Sequence, residues 1–143
     1  MDGARIFNAA VSLGVDAKEV TACCDTVMFC LSKVLSAPAG SMLAGSKAFI
    51  DKARKNRKLM GGGMRQVGIL AAAGIISLEK MTARLHEDHE NARYMADRLA
   101  EIPGVEVIQD RLDIDMVLFK MGESIISEKL LIEKLYEKNI KIN

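Results

Sequence analysis

Residues 26–45 read TVMFCLSKVLSAPAGSMLAG, and the fold turns on how this stretch divides. Residues 26–31 are a compact apolar run with the β-branched and aromatic content of a buried strand. Residues 36–40, around Pro38, have turn composition, and residues 41–45 read as a second short strand antiparallel to the first. Between them stands one lysine, Lys33, among small and apolar residues. Such a side chain can snorkel its ammonium to water past apolar neighbours. It can also be a desolvated amine that attacks a carbonyl. Taken alone, the first account is the plainer one.

Working outward, Ile6, Ala9, Ala10 and Leu13 recur at helical spacing before Gly14, a stop signal. Asp16 caps a short turn. Ser46 opens a helix, SKAFIDKARKNRKLM, in which Phe49, Ile50 and Ala53 alternate with six basic residues until Gly61, Gly62 and Gly63 break it. Residues 64–77, MRQVGILAAAGIIS, are nearly all apolar, and their glycines and alanines admit close neighbours, which predicts a buried helix. Residues 78–102 turn amphipathic, with Met81, Leu85, Ala92, Met95 and Leu99 along one stripe ended by Pro103 and Gly104. A small α/β unit follows: strands over 105–108 and 115–120, a helix over 128–138 and a last strand over 139–142. A composition shift near residue 85 divides the chain into 1–85 and 86–143, joined by one long helix. The abrupt start and the unfinished alternation at the end suggest a chain cut at both termini.

The totals exclude several classes of function. Twenty Lys and Arg against 19 Asp and Glu predict no general attraction to nucleic acid or membrane, and the absence of Trp leaves few stacking platforms for bases. The apolar runs are too short to cross a bilayer. Cys23, Cys24 and Cys30 are odd in number and lack paired spacing; they read as buried small hydrophobes in a reducing compartment, the cytoplasm by default.

Four motifs carry candidate chemistry, each beside a plainer account. HEDHE (residues 86–90) spaces its histidines three apart where a zincin needs four, so a solvated polar face is the favoured reading and no metal site is expected. DKARKNRK (residues 51–58) could meet phosphodiesters or hold one small-molecule phosphate, but a solvated basic face explains it. GGGMRQ (residues 61–66) leads into a helix as an anion cradle would, yet lacks P-loop or dinucleotide spacing. DGAR (residues 2–5) could be an N-cap with a partner charge. Together with Lys33 it gains a chemical meaning. Pyridoxal 5'-phosphate (PLP) needs an amine for its imine, a carboxylate for its ring nitrogen and cations for its phosphate. Asp2, Lys33 and the Lys58/Arg65 cluster supply one of each kind.

The segments DGARIFNAA, FCLSK, APAGSMLAGS, KARKNRKLMGGGMRQVGILAAAGI and RLHEDHENAR, in this order, resemble low-specificity L-threonine aldolases, PLP enzymes of the aspartate-aminotransferase fold. The resemblance runs through the whole chain and covers the C-terminal portion of such an enzyme. It implies an α/β fold: the C-terminal part of a PLP-binding large domain (1–85) and a small α/β domain (86–143). By position it implies Lys33 as the imine-forming lysine, Asp2 on the pyridine nitrogen and Arg5 beside the phenolic oxygen. Lys58 and Arg65 match basic residues near the phosphate, some supplied across a subunit interface in the family. The implied reaction is loss of the β-hydroxyl proton and cleavage of threonine or allo-threonine to glycine and an aldehyde. A homo-oligomer, a tetramer in the family, or a companion chain bearing the N-terminal half is the implied partner. In this reading apolar neighbours screen Lys33 from water and so depress its pKa. Val34 departs from the family pattern, which has glycine after the lysine; a β-branched residue resists a left-handed backbone and adds bulk there.

Overall fold

The computed structural model describes residues 1–122 and 126–142. Two compact units are distinguished, one of Met1–Glu90 with Asp113–Asp115, the other of Asn91–Leu112 with the segment from Met116 onward.

The first unit is built around β1 (Thr26–Cys30), which pairs antiparallel with β2 (Ser41–Gly45), Met28 opposite Leu43. On its other edge the segment before α1 (Ile6–Leu13) runs parallel to it. Gly3 N donates to Met28 O at 2.8 Å, Met28 N to Met1 O at 3.0 Å and Cys30 N to Ala4 O at 3.3 Å. Thus β1 is an inner strand, as its apolar composition predicts. Asp16 caps α2 (Ala17–Thr21) in a reciprocal capping box with Glu19. Ser46 caps α3 (Lys47–Leu59) through the Phe49 amide. The glycine break also behaves as expected: Gly61 takes φ +81°, and the amides of Gly61 and Gly62 close onto the carbonyls of Lys58 and Arg57. That paired closure needs a left-handed residue, which glycine supplies without steric cost.

The core of this unit is Leu31, Leu35, Ala37 and Leu85, with Phe7, Phe29, Val34 and Met81 packed against it. Phe7 and Phe29 meet edge to face at 5.4 Å between ring centroids. Helix α4 (Gly68–Ile76) is narrower than the apolar run and, against expectation, largely exposed: Ile69 is 82% accessible, and Ile75 and Ile76 also face outward. An all-round apolar helix needs neighbours on every side. Here the close approach is at Gly74, where a Cβ would come within 3.1 Å of Leu31 Cδ1.

The amphipathic stretch does not start as one α-helix. A π-turn (Ser77–Met81) and a 3-10 turn (Thr82–Arg84) precede α5 (Leu85–Ala100), which runs on into the second unit. Its buried positions are Leu85, His89, Ala92 and Ala96, whereas Met95 is exposed. Three turns of about 3.6 residues from Leu85 lead to Ala96 and carry Met95 off that face.

In the second unit β3 (Val105–Val107) and β4 (Phe119–Met121) pair antiparallel, both shorter than expected. Helix α6 (Glu128–Glu137) is capped by Ser127. The predicted last strand over 139–142 does not form. Asn139 takes φ +60° and Ile140 N returns to Leu135 O at 2.9 Å, so these residues close the helix instead of entering a ladder. The cysteines are less buried than their composition suggests: Cys23 is exposed, Cys24 and Cys30 half-buried, and all three are free.

Candidate active site

The turn from Leu31 to Ala37 is fixed at both ends. Leu31 N donates to Gly40 O and Ala37 N to Leu31 O, each at 3.0 Å, while Ser36 N reaches Lys33 O at 3.2 Å. Leu31, Leu35 and Ala37 point into the core and Val34 packs on it, so the residue between them is turned outward. Lys33 is exposed. The apolar screening that the sequence predicts is therefore not supplied by these residues: the side chains that could cover the amine are spent on the core beneath it. Val34, in turn, is not strained. The left-handed residue of the turn is Ser36, at φ +60°, so a β-branched residue after the lysine fits the backbone.

Asp2 lies on the parallel edge of β1, bridged to Met28, and Lys33 lies three residues beyond the end of that strand. Asp2 is exposed and does not cap α1; its Oδ1 accepts from Ala4 N at 3.3 Å, an Asx-type turn. Arg5 occupies the N-cap position of α1 without a capping side chain. Its Nε lies 3.3 Å from Asp115 Oδ1; the two atoms are closed to solvent and have no other partner. The contact is an ion pair without hydrogen-bond alignment. The side chains are 31% and 16% exposed, so the Arg5 charge is partly desolvated but reachable. Lys58, in the last turn of α3, and Arg65, beyond the glycines, are exposed, and neither forms an ion pair among the described residues. Among the described residues no hydrogen bond or ion pair joins Lys33, Lys58 or Arg65 to Asp2 or Arg5. Asp2 thus lies beside β1 and Lys33 in the turn that follows it, while Lys58 and Arg65 stay on a separate helix and loop.

The donor set fits PLP in kind. An outward amine on the turn beyond β1, a carboxylate on the segment bridged to the edge of that strand and a partly exposed guanidinium are the groups that imine, ring nitrogen and phenolic oxygen require.

HEDHE is not the uniformly solvated face it resembles. His86 is exposed, but His89 is buried and meets the buried Asn8 amide at 3.1 Å. Among the described residues no group of His, Cys, Asp and Glu could hold a metal. Asn8 and Asp115 are the polar residues that sequence reading passes over. Asn8 left one signal, a polar residue among the apolar positions of α1; Asp115 left none, since its partner lies 110 residues away.

Comparison with known proteins places this geometry in a family. A family model described as beta-eliminating lyase matches residues 1–122. The low specificity L-threonine aldolase of Escherichia coli K12 is 48% identical over 143 residues, all of this chain and 41% of the relative. Low-specificity L-threonine aldolase 1 of Arabidopsis thaliana is 41% identical over 132 residues, 91% of this chain and 37% of the relative. The chain thus spans about two-fifths of the length of these relatives. The crystal structure assigned as an L-allo-threonine aldolase from Listeria monocytogenes superposes with a TM-score of 0.83 over 99% of this chain and 40% of that one. At 23% identity it establishes a shared mixed α/β fold. The sequence match and the fold agree: the chain belongs to the beta-eliminating lyase family.

Proposed function

We propose that the chain is the C-terminal portion of a PLP-dependent aldehyde lyase that cleaves L-threonine or allo-threonine to glycine and acetaldehyde. The observation that carries the reading is the 48% identity to the E. coli threonine aldolase over the whole length of this chain. In this reading residues 1–85 are part of the cofactor-binding large domain and residues 86–143 a small C-terminal domain. The free cysteines suit the cytoplasm.

Lys33 would hold the cofactor covalently, Asp2 its ring nitrogen, Arg5 its phenolic oxygen, and Lys58 and Arg65 its phosphate. When bound, PLP supplies an electron sink for the carbanion left by carbon–carbon cleavage. The chain's own residues do the rest. The Asp2 carboxylate favours a proton on the group facing it, as a nearby negative charge does. Lys33 Nζ accepts and returns protons at the reacting carbon from a turn that folding has already ordered. Arg5 offers its terminal nitrogens to an anion while Asp115 holds its Nε.

The test is reduction with borohydride after soaking with PLP, alone and with a polypeptide carrying the N-terminal part of a relative. Peptide mass spectrometry reads the label. The expected result is a reduced pyridoxyl group at Lys33 in the complemented assembly, with acetaldehyde release from allo-threonine; the isolated chain releases little. An unlabelled Lys33 in a folded, complemented assembly defeats the reading.

A second reading, a non-catalytic module for self-association or partner binding, is favoured by the exposed apolar side chains of Leu59, Met60, Met64, Ile69 and Ile75. A clean monomer in light scattering counts against the module. A related PLP lyase or racemase is distinguished by substrate profile.

A further inference from the structure

We infer that His89, acting through Asn8, is a positioning residue for the cofactor site: their buried hydrogen bond sets α1, and with it Asp2 and Arg5, against the Lys33 turn. The inference rests on the reading of Asp2, Arg5 and Lys33 proposed above.

Asn8 is 0% exposed and His89 3% exposed, and Asn8 Nδ2 lies 3.1 Å from His89 Nε2 across 81 residues of sequence. The amide and the ring nitrogen share one hydrogen bond, whose direction follows the ring's tautomer. Asn8 is flanked on α1 by the buried Ile6 and Ala10. Apolar side chains at 8 and 89 would fill the same space. What the polar pair adds is direction, because a hydrogen bond weakens steeply once distance and angle drift. Asn8 Oδ1 is buried without a partner, an unfavourable state that packing alone does not call for. A buried polar contact kept under those terms is the pattern of a register device.

What the register fixes follows from the neighbours. Arg5 precedes Asn8 by three residues, less than one helical turn, and Asp2 lies just before it on the edge of β1. On α5, Leu85 precedes His89 by about one turn and belongs to the cluster that includes Leu31 and Leu35, the residues on either side of Lys33. One helix face therefore holds both sides of the site, the Lys33 turn through Leu85 and α1 through His89.

The test uses the chain itself, comparing His89→Leu with His89→Gln, which can still bond Asn8. Amide exchange at Gly3 and Cys30 reports the seating of residues 1–4 on β1, and exchange at Ser36 and Ala37 reports the Lys33 turn. In His89→Leu, exchange at Gly3 and Cys30 rises about tenfold, while Ser36 and Ala37 stay within about twofold. In the complemented assembly the yield of borohydride-fixed pyridoxyl label at Lys33 falls by about tenfold as well, and His89→Gln restores both readouts to within about threefold. The proposal is overturned by unchanged exchange at Gly3 and Cys30, or by failure of Gln to restore it. If His89→Leu does not fold, Asn8→Leu makes the same comparison; unfolding of both assigns the pair to general stability and also overturns it. A wild-type complemented assembly that takes no label at Lys33 defeats the proposed function, and the exchange comparison on the chain still decides the positioning role.

Discussion

Two parts of the first unit treat apolar surface in opposite ways. Around Lys33 the apolar neighbours are used: Leu31, Leu35 and Ala37 are buried, and a backbone hydrogen bond ties Ala37 to Leu31. From Leu59 to Ile76 the chain is as apolar, yet Met60 is 86% exposed and Ile69 nearly as open. The first region is complete within these residues. The second leaves its apolar surface open in a chain that spans about two-fifths of the length of its relatives. Apolar composition predicts that a segment will be covered, and the covering group need not be in the same chain segment.

The sharpest way to break the comparison is Lys33→Ala. Borohydride-fixed label is lost completely in the complemented assembly, and stability moves by no more than about 0.5 kcal/mol, because the side chain is outside the core. Loss of fold in that variant would show that the lysine belongs to the packed region after all. Leu35→Ala tests the other side: removing a side chain from this core costs about 2–5 kcal/mol, read as a lower denaturant midpoint. A loss below about 1 kcal/mol would mean the turn is not held by its core. Ile69→Lys sharpens the contrast, changing folding stability by no more than about 0.5 kcal/mol while reducing self-association in light scattering.

The smallest effect concerns α5. Hydrogen bonds from Arg84, and then its positive charge, hold the Glu87 carboxyl below the usual range for glutamate. A carboxyl lowered in the folded state contributes stability above its unfolded value and loses it as pH falls through the lowered one. The protection of amides in the first turn of α5, taken relative to the intrinsic exchange rate at each pH, should therefore fall on acidification from neutral pH to about pH 3, and Glu87→Gln should remove most of that dependence. The same acid response in the variant would place its origin elsewhere.

Much of the first unit was legible because its signals are local. Asp16, Ser46 and Gly61 cap or close helices where their chemistry says they should, and β1 and β2 pair in the expected direction. The misreadings share another cause. Residues 139–142 alternate like a strand, but Asn139 can take a left-handed conformation and ends a helix instead. HEDHE looked solvated because what buries His89 is Asn8, 81 residues upstream. For the site, residue types were readable and their spatial relations were not: Arg5 meets Asp115 through a contact that no spacing rule encodes.

The inward commitment of Val34 and Leu35 has a final consequence. With both successors anchored below, the backbone entropy of presenting Lys33 is spent during folding, before any encounter, while its exposed stem keeps its own rotamers. Whatever docks over this corner has only that stem left to order.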